Sequence, residues 1–393
     1  MLFLGAYPIE PARHGGQKRS KEIQAYCASL GYEVSYLGFC SDGYRSIGRN
    51  DHYISKFVEL SSFESALLSD LVIAEKLPST RALELVKRTI EKRRPSAIVL
   101  EQPWCWPLVQ KALTELGLKL PVIYSSQNIE FRLKEKILLH QGVSKKDTQE
   151  TCQRIYRLET ELTQQAALGI AVTQQDSEEM AAWGGKKAIL VPNRNRLSPQ
   201  TKAPRNFEIW KGKYALFVGS GHPPNAEGLF HYLSDHFGFL SPDHRLVLAG
   251  GVADLVAGSD EFYRHHVINN RRILLIPSPD DSELAWLLRN AGCVILPIHS
   301  GEGSNLKTAE ALMSGRPVIS SRHAMRGYEE YINHPLLTLA DNSREFKKAV
   351  QGALLSSKVT VRDEEIHAIA GRLSWESALQ PLALGLSAAL SSN

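Results

Sequence analysis

Cysteine is scarce and unpatterned in this chain. Five residues (Cys27, Cys40, Cys105, Cys152 and Cys293) are scattered over 393 positions, with no CxxC pair. An odd, dispersed set argues against a disulfide framework or a structural zinc, and it favours a reducing compartment, so the cytoplasm is expected. Long apolar runs are lacking too, since none reaches the ~18 residues of a membrane span. The opening MLFLGAYPIEP has no basic flank and too short an apolar stretch for a signal peptide, and it reads as a first buried strand. There is no HExxH, HxxxH or DxD, so no metal is expected, and no Walker A run. Basic stripes interleaved with aromatics are absent, which removes nucleic acid as an expected partner.

What is present is ordinary for a globular protein, with 43% apolar and 22% charged residues. The length favours two or three domains. The net charge of +4 lies wholly within residues 1–195, which hold 26 basic and 22 acidic residues, and residues 196–393 balance. Much of the excess comes from Lys87, Arg88, Lys92, Arg93 and Arg94. Such a run is ordinarily a solvated helix face. The alternative is attraction to an anionic membrane surface or a lipid-linked substrate, as a peripheral protein at the inner face of the cell membrane.

Short apolar runs alternate with helical patterns almost from end to end. MLFLGAY, EVSYLGF, AIVLE, PVIYSS, GIAVT and AILVP are strand candidates in the first half. YALFVGS, RLVLAGG, RILLIP, CVILPI and PVISS repeat the plan in the second. Helical stretches are expected near 18–30, 81–93, 104–116 and 147–168. Nearly continuous Val, Ile and Leu, without alternation, marks parallel strands covered on both faces. The fold class is therefore α/β: two doubly wound, Rossmann-like domains facing each other across a cleft, each with its crevice at the carboxyl ends of its strands. The first would occupy 1–195 and the second 208–373. A polar, proline-bearing linker at 196–207 would join them. Residues 374–393 form a last helix pattern, expected to pack back on the first domain.

One segment concentrates chemistry. GEGSNLKTAEALMSGRPVIS, residues 301–320, follows a strand and places Glu302 and Glu310 around a Gly/Ser/Asn turn with Lys307. Ser304 or Asn305 can cap the helix carrying Lys307 and Glu310, and its free N–H groups with the positive dipole end attract anions. Taken singly, Lys307 and Glu310 are explained by an i,i+3 ion pair worth ~0.2–0.5 kcal/mol, and Glu302 by a preference for helix starts. Their combination at a strand-to-helix switch points to a polyhydroxylated, anionic ligand. Gly15 and Gly16 after the first strand permit close backbone approach or simply form a turn. His222, ahead of Pro223–Pro224, is a loop histidine at the same crevice.

These residues resemble the E-x7-E segment of retaining GT-B glycosyltransferases of the family-4 type. EALMSGRPVIS is similar to that family's EAxAxGxPVV run, ALFVGSGHPPNAEG to its first donor-domain strand and loop, and SSQNIEFRLK to its HNxE region, with Gln127 in place of histidine. HGGQKRSKEIQAYCASLGYEVSYL resembles the N-terminal glycine-rich loop, first helix and second strand. The resemblance implies that Glu302 bonds hydroxyls of a donor sugar, that Glu310 accepts the ribose hydroxyls of a nucleotide, and that Gly303, Ser304, Asn305 and Leu306 offer N–H groups to its diphosphate. The backbone at Ile276–Pro277 would line the base, and Gln127 and Asn128 would lie on the acceptor side. The family commonly has an Arg and a Lys after the first donor-domain strand, but Gly219–Ser220–Gly221–His222–Pro223–Pro224–Asn225 has neither. Lys307, Arg326 and Arg19 are the candidates to replace that charge.

The expected function is transfer of a sugar from a nucleotide sugar to a glycan or lipid-linked saccharide, with retention. The nucleotide sugar is a co-substrate, and no cofactor or metal is expected. Glu302 and Lys307 are the expected catalytic pair, with Lys307 and the helix start stabilising the departing phosphate. A nucleotide-sugar epimerase or phosphorylase on the same architecture, and a catalytically silent glycan-binding or scaffold partner, remain alternatives.

Overall fold

A computed structural model of the chain describes all residues except 11, 13, 14, 45, 46, 187, 195–199, 205, 206, 208–211, 301–305, 357–362, 392 and 393. The chain divides into two compact units, one comprising Met1–Pro192 with Leu379–Asn393 and the other Asn193–Ala378. Half of the expected linker at 196–207 lies outside the described residues.

The first unit is built on a seven-stranded sheet, β1 (Leu2–Gly5), β2 (Ser35–Cys40), β3 (Asp51–Tyr53), β4 (Ile98–Leu100), β5 (Val122–Ser125), β6 (Leu168–Ala171) and β7 (Ile189–Leu190). The spatial order is β3-β2-β1-β4-β5-β6-β7, and every pairing is parallel. The central strands read as apolar runs because helices cover both faces, and β1, β4, β5 and β6 are buried along their whole length.

The second unit has β8 (Lys213–Val218), β9 (His244–Ala249), β10 (Ile273–Ile276), β11 (Cys293–Leu296), β12 (Val318–Ser320) and β13 (Leu337–Leu339). Its order is β10-β9-β8-β11-β12-β13, again wholly parallel. In both sheets the order reverses direction between the first and fourth strands. That reversal opens a crevice beyond the strand ends where ligands of doubly wound sheets bind.

Local chemistry explains the helices. In the helix Arg81–Arg93 the Thr80 side chain accepts from the Ala82 N–H, and Ala82, Leu83, Val86 and Ile90 form the buried face. The basic run lies on the opposite face, where Lys87 pairs with Glu84 and Glu115 at 2.9 and 3.0 Å and Arg93 with Glu33 at 3.5 Å. The helix expected at 147–168 runs Lys145–Gln165, with Ser144 accepting from Asp147, and Leu168 begins β6 instead. The helix expected from 104 opens as a short 3-10 turn, Pro103–Cys105, before the regular helix Trp106–Leu116. Two strands, β3 and β13, carry no strand expectation in the sequence. They are three-residue edge strands, DHY and LTL, too short to show as an apolar run. Among the described residues, no helix is long and apolar enough to cross a membrane.

Candidate donor site at the switch point of the second unit

The loop 219–222 leaves β8, and a second loop leaves β11 to reach the helix Leu306–Met313. Because β8 and β11 are neighbours in the sheet, these two loops flank the reversal point. Gly301, Glu302, Gly303, Ser304 and Asn305 lie outside the described residues. What is described begins with Leu306, half-buried, and includes Lys307 and Glu310.

Lys307 is tied to the β8 side of the crevice. Its Nζ donates to Asn225 Oδ1 at 2.5 Å and lies 5.8 Å from the centre of the Phe217 ring on β8. Asn225, 6% exposed in the helix Pro223–Leu233, donates from Nδ2 to the Ser220 carbonyl at 2.9 Å and to Ser220 Oγ at 3.3 Å. The loop folds back on itself through His222 N–H to Ser220 O at 2.8 Å and Asn225 N–H to His222 O at 2.9 Å. At the place where the loop lacks a cation of its own, an amide side chain therefore holds the ammonium of the facing helix. Burial pulls the Lys307 ammonium down to about 8, against the nearby charge of Glu310, which favours the protonated form. Glu310 is itself buried, on the same helix one turn further on.

The rest of the loop is seated by backbone. Gly219 donates to Ala249 O at 2.9 Å and accepts from Val252 N–H at 3.0 Å. The N–H groups of Ser220 and Gly221, both exposed, donate to nothing among the described residues. At the end of β10, the Ile276 carbonyl accepts from Gly250 N–H at 2.9 Å, and Pro277 follows in an exposed position. The exposed His222 flanks the helix start without capping it through its side chain. Arg326, half-buried, follows the turn His323–Met325, and that turn is pinned to the Lys307 helix by Thr308 Oγ donating to Ala324 O at 2.7 Å.

In the first unit, Gly15 and Gly16 open the helix Gly15–Ser29, and Tyr7 OH donates to Gly16 O at 3.3 Å. Arg19 on that helix is 1% exposed, and its guanidinium donates at 2.7 Å to the carbonyl of Val191, the residue after β7. The side chain thus points into the first unit. Gln127 is likewise turned inward, with Nε2 bonded to the Tyr7 hydroxyl and 3.4 Å from Glu101 Oε2. Asn128 is half-buried, and its carbonyl accepts from Ser126 Oγ at 2.8 Å. Tyr7, Glu101 and Gln127 thus form a buried polar cluster at the ends of β1, β4 and β5, beneath that unit's own reversal point. Tyr7 and Glu101 carried no sequence signal beyond their place after apolar runs.

A second buried carboxyl pair sits next to it. Glu159, fully buried in the helix Lys145–Gln165, accepts the N–H groups of Glu130 and Phe131 at 2.8 and 2.9 Å and so caps the helix Glu130–His140. Burial, reinforced by the charge of Asp70, pushes the Glu130 carboxyl up to about 7. Burial with the charge of Glu130 pushes Glu159 up to about 8. Both hold protons in the folded state that they release near pH 4.5 when unfolded, so folding takes up protons between those limits. The pair therefore contributes most stability in acid and loses it as pH rises through about 7 to 8. The melting temperature is expected to fall from pH 5.5 to pH 8.5, and Glu159→Gln should flatten that slope. An unchanged slope in the variant would show that the pair is not its source.

Known proteins place this geometry in a class. Residues 212–356, within the second unit, match the family model described as glycosyl transferases group 1. The two units are the Rossmann-like domains of a GT-B fold, shared with several solved structures. One is HepE of Anabaena in complex with UDP, 15% identical with a TM-score of 0.67, covering 98% of this chain and 99% of that one. Another is sucrose-phosphate synthase of Thermosynechococcus elongatus, 15% identical with a TM-score of 0.68 over the full length of both chains. A third is a UDP-forming trehalose-phosphate synthase of Burkholderia vietnamiensis, 13% identical, TM-score 0.63, again over both full lengths. Among curated proteins, none matches the chain.

Proposed function

We propose that the protein transfers a glycosyl group from a nucleoside diphosphate sugar, bound in the second unit, to a saccharide acceptor bound by the first. The observation that carries this reading is the chain Lys307–Asn225–Ser220 at the reversal point of a group 1 domain. It presents to a common crevice one ammonium and the N–H groups of Ser220 and Gly221, which donate to nothing among the described residues. Cleavage of the anomeric C–O bond leaves negative charge on the departing phosphate, and preorganised donors in a partly dry site stabilise that charge strongly.

Within this proposal, Glu302 bonds the sugar hydroxyls, Glu310 accepts the ribose hydroxyls, and Gly303 to Leu306 add N–H groups to the diphosphate. Carboxylates suit the first two tasks because they only accept, and charge-assisted bonds are the stronger kind. Ile276 and Pro277 line the base, and Arg326, after β12 on the other side of the reversal point, is a candidate to add charge toward the phosphates. Retention of configuration and a metal-free diphosphate site follow the resemblance of the E-x7-E segment. A glycan or lipid-linked acceptor near Gln127 and Asn128, met at the cytoplasmic face of a membrane, fits the basic excess of the first unit. UDP-sugars head the list of donors to try, since HepE and the trehalose-phosphate synthase are respectively UDP-bound and UDP-forming.

The test is a thermal-shift panel of UDP-, GDP-, CMP- and dTDP-sugars. A ligand at a hundred times its Kd stabilises by about 2.7 kcal/mol, a readily measured shift. Glu302→Ala should abolish transfer while leaving the nucleotide shift largely intact. No shift with any nucleotide would favour the silent-partner alternative, and loss of both properties together would break the division of labour between the two glutamates.

A further inference from the structure

We propose that Gly251, in the turn after β9, is a positioning residue for the phosphate-facing loop after β8. This rests on the donor-site reading above and deepens it.

The two turns touch backbone to backbone. A Cβ at position 251 would lie 2.5 Å from the Gly221 nitrogen, 2.9 Å from Gly221 Cα and 3.4 Å from the Ser220 carbonyl carbon. No side chain is available to swing aside, so the loop itself must move. Gly251 has φ −59° and ψ −17°, a right-handed helical conformation that any L-residue adopts without strain. The glycine at 251 is therefore required by the neighbouring backbone alone. Gly250 differs, because its φ of +88° adds conformational strain to a Cβ contact of 2.5 Å with Gly219 O. A substitution at 250 would mix folding with function, whereas one at 251 isolates the contact.

The direction of the push gives the contact its consequence. Gly219 is held on both sides, by Ala249 O and Val252 N–H. The stretch beside Gly251 is Ser220–Gly221, whose N–H groups have no partner among the described residues. A methyl group at 251 therefore displaces the segment that faces the diphosphate. It leaves the hydrogen bonds that anchor the loop to β8 and β9 in place. Through Ser220 O and Asn225 the displacement also reaches Lys307.

The experiment compares wild type, Gly251→Ala and Gly352→Ala. Gly352 lies in the helix Ser343–Leu355, where an added Cβ meets nothing within 4 Å. Each protein is assayed below its own melting temperature for UDP binding and for transfer kinetics. Gly251→Ala should raise the Kd for UDP about tenfold, the loss of roughly one hydrogen bond, and lower kcat/KM for the donor at least as much, with the acceptor KM within about twofold of wild type. Gly352→Ala should match wild type throughout. Equal UDP affinity in wild type and Gly251→Ala, or a variant whose acceptor KM shifts as far as its UDP affinity, overturns the proposal. Wild type that binds no nucleotide instead overturns the donor-site reading on which it stands. If Gly251→Ala does not fold, hydrogen exchange of the wild type decides. UDP should slow exchange in peptides covering 219–222 and 250–252, and no protection at 219–222 would refute the positioning role.

Discussion

Replacing Lys307 with alanine should weaken UDP-glucose binding about 10- to 150-fold, the ~1.5–3 kcal/mol of a hydrogen bond to a charged group. The residue is poised for a sharper test than deletion. Its ammonium is held at about 8 by burial, so the free protein loses the charge just above neutrality. The diphosphate of UDP-glucose keeps its charge over the same range. Only the protonated lysine complements it, so affinity should be nearly constant below pH 7 and fall about tenfold between pH 7 and pH 9. Lys307→Arg keeps a cation at every accessible pH and should remove that fall, even if the contact to Asn225 fits less well. Titration calorimetry at pH 7, 8 and 9 on the three proteins settles the matter. A wild-type fall that persists undiminished in Lys307→Arg would assign the titration to another group.

The second large effect is expected at Glu310. In the proposed role, two charge-assisted bonds to a ribose diol would make Glu310→Ala cost on the order of 100-fold in UDP affinity. The division of the ligand supplies the control. Inorganic diphosphate has no ribose, so its binding should survive Glu310→Ala and fail in Lys307→Ala. The measurement belongs at pH 7, because removing the carboxylate also removes a charge that keeps Lys307 protonated. Equal losses for UDP and inorganic diphosphate would mean that Glu310 acts through Lys307 and not on the ribose.

The fold was legible where burial writes itself into the chain. Runs such as LFLG, VIYS and CVIL have one reading, since only strands covered on both faces tolerate them. DHY and LTL carry no such signature, because an edge strand needs only one neighbour. The site was legible in part. Lys307 and Glu310 stood out through their spacing around a helix start, but the bond from Lys307 to Asn225 joins residues 82 apart in sequence. It exists because β8 and β11 are neighbours, which no local pattern announces. The burial of Arg19 was not read from GGQKRS, although Arg19, Ile23 and Cys27 recur every four residues and lie on the buried face of their helix.

The last helix, Trp375–Ser391, carries one further consequence. Its later part, from Leu379, belongs to the first unit, where Gly385 lets the helix lie against Leu168 of β6 and Ile189 of β7. The second unit is thus spliced into the first as an insert, entered after Pro192 and left after Ala378. Excising residues 193–378 would take every strand of its sheet along intact. Cutting the chain after Pro192 would instead strip the β6–β7 edge of its cover and leave an apolar margin open to aggregation. For anyone dissecting this protein, the natural scissors therefore cut out the middle of the chain and do not halve it.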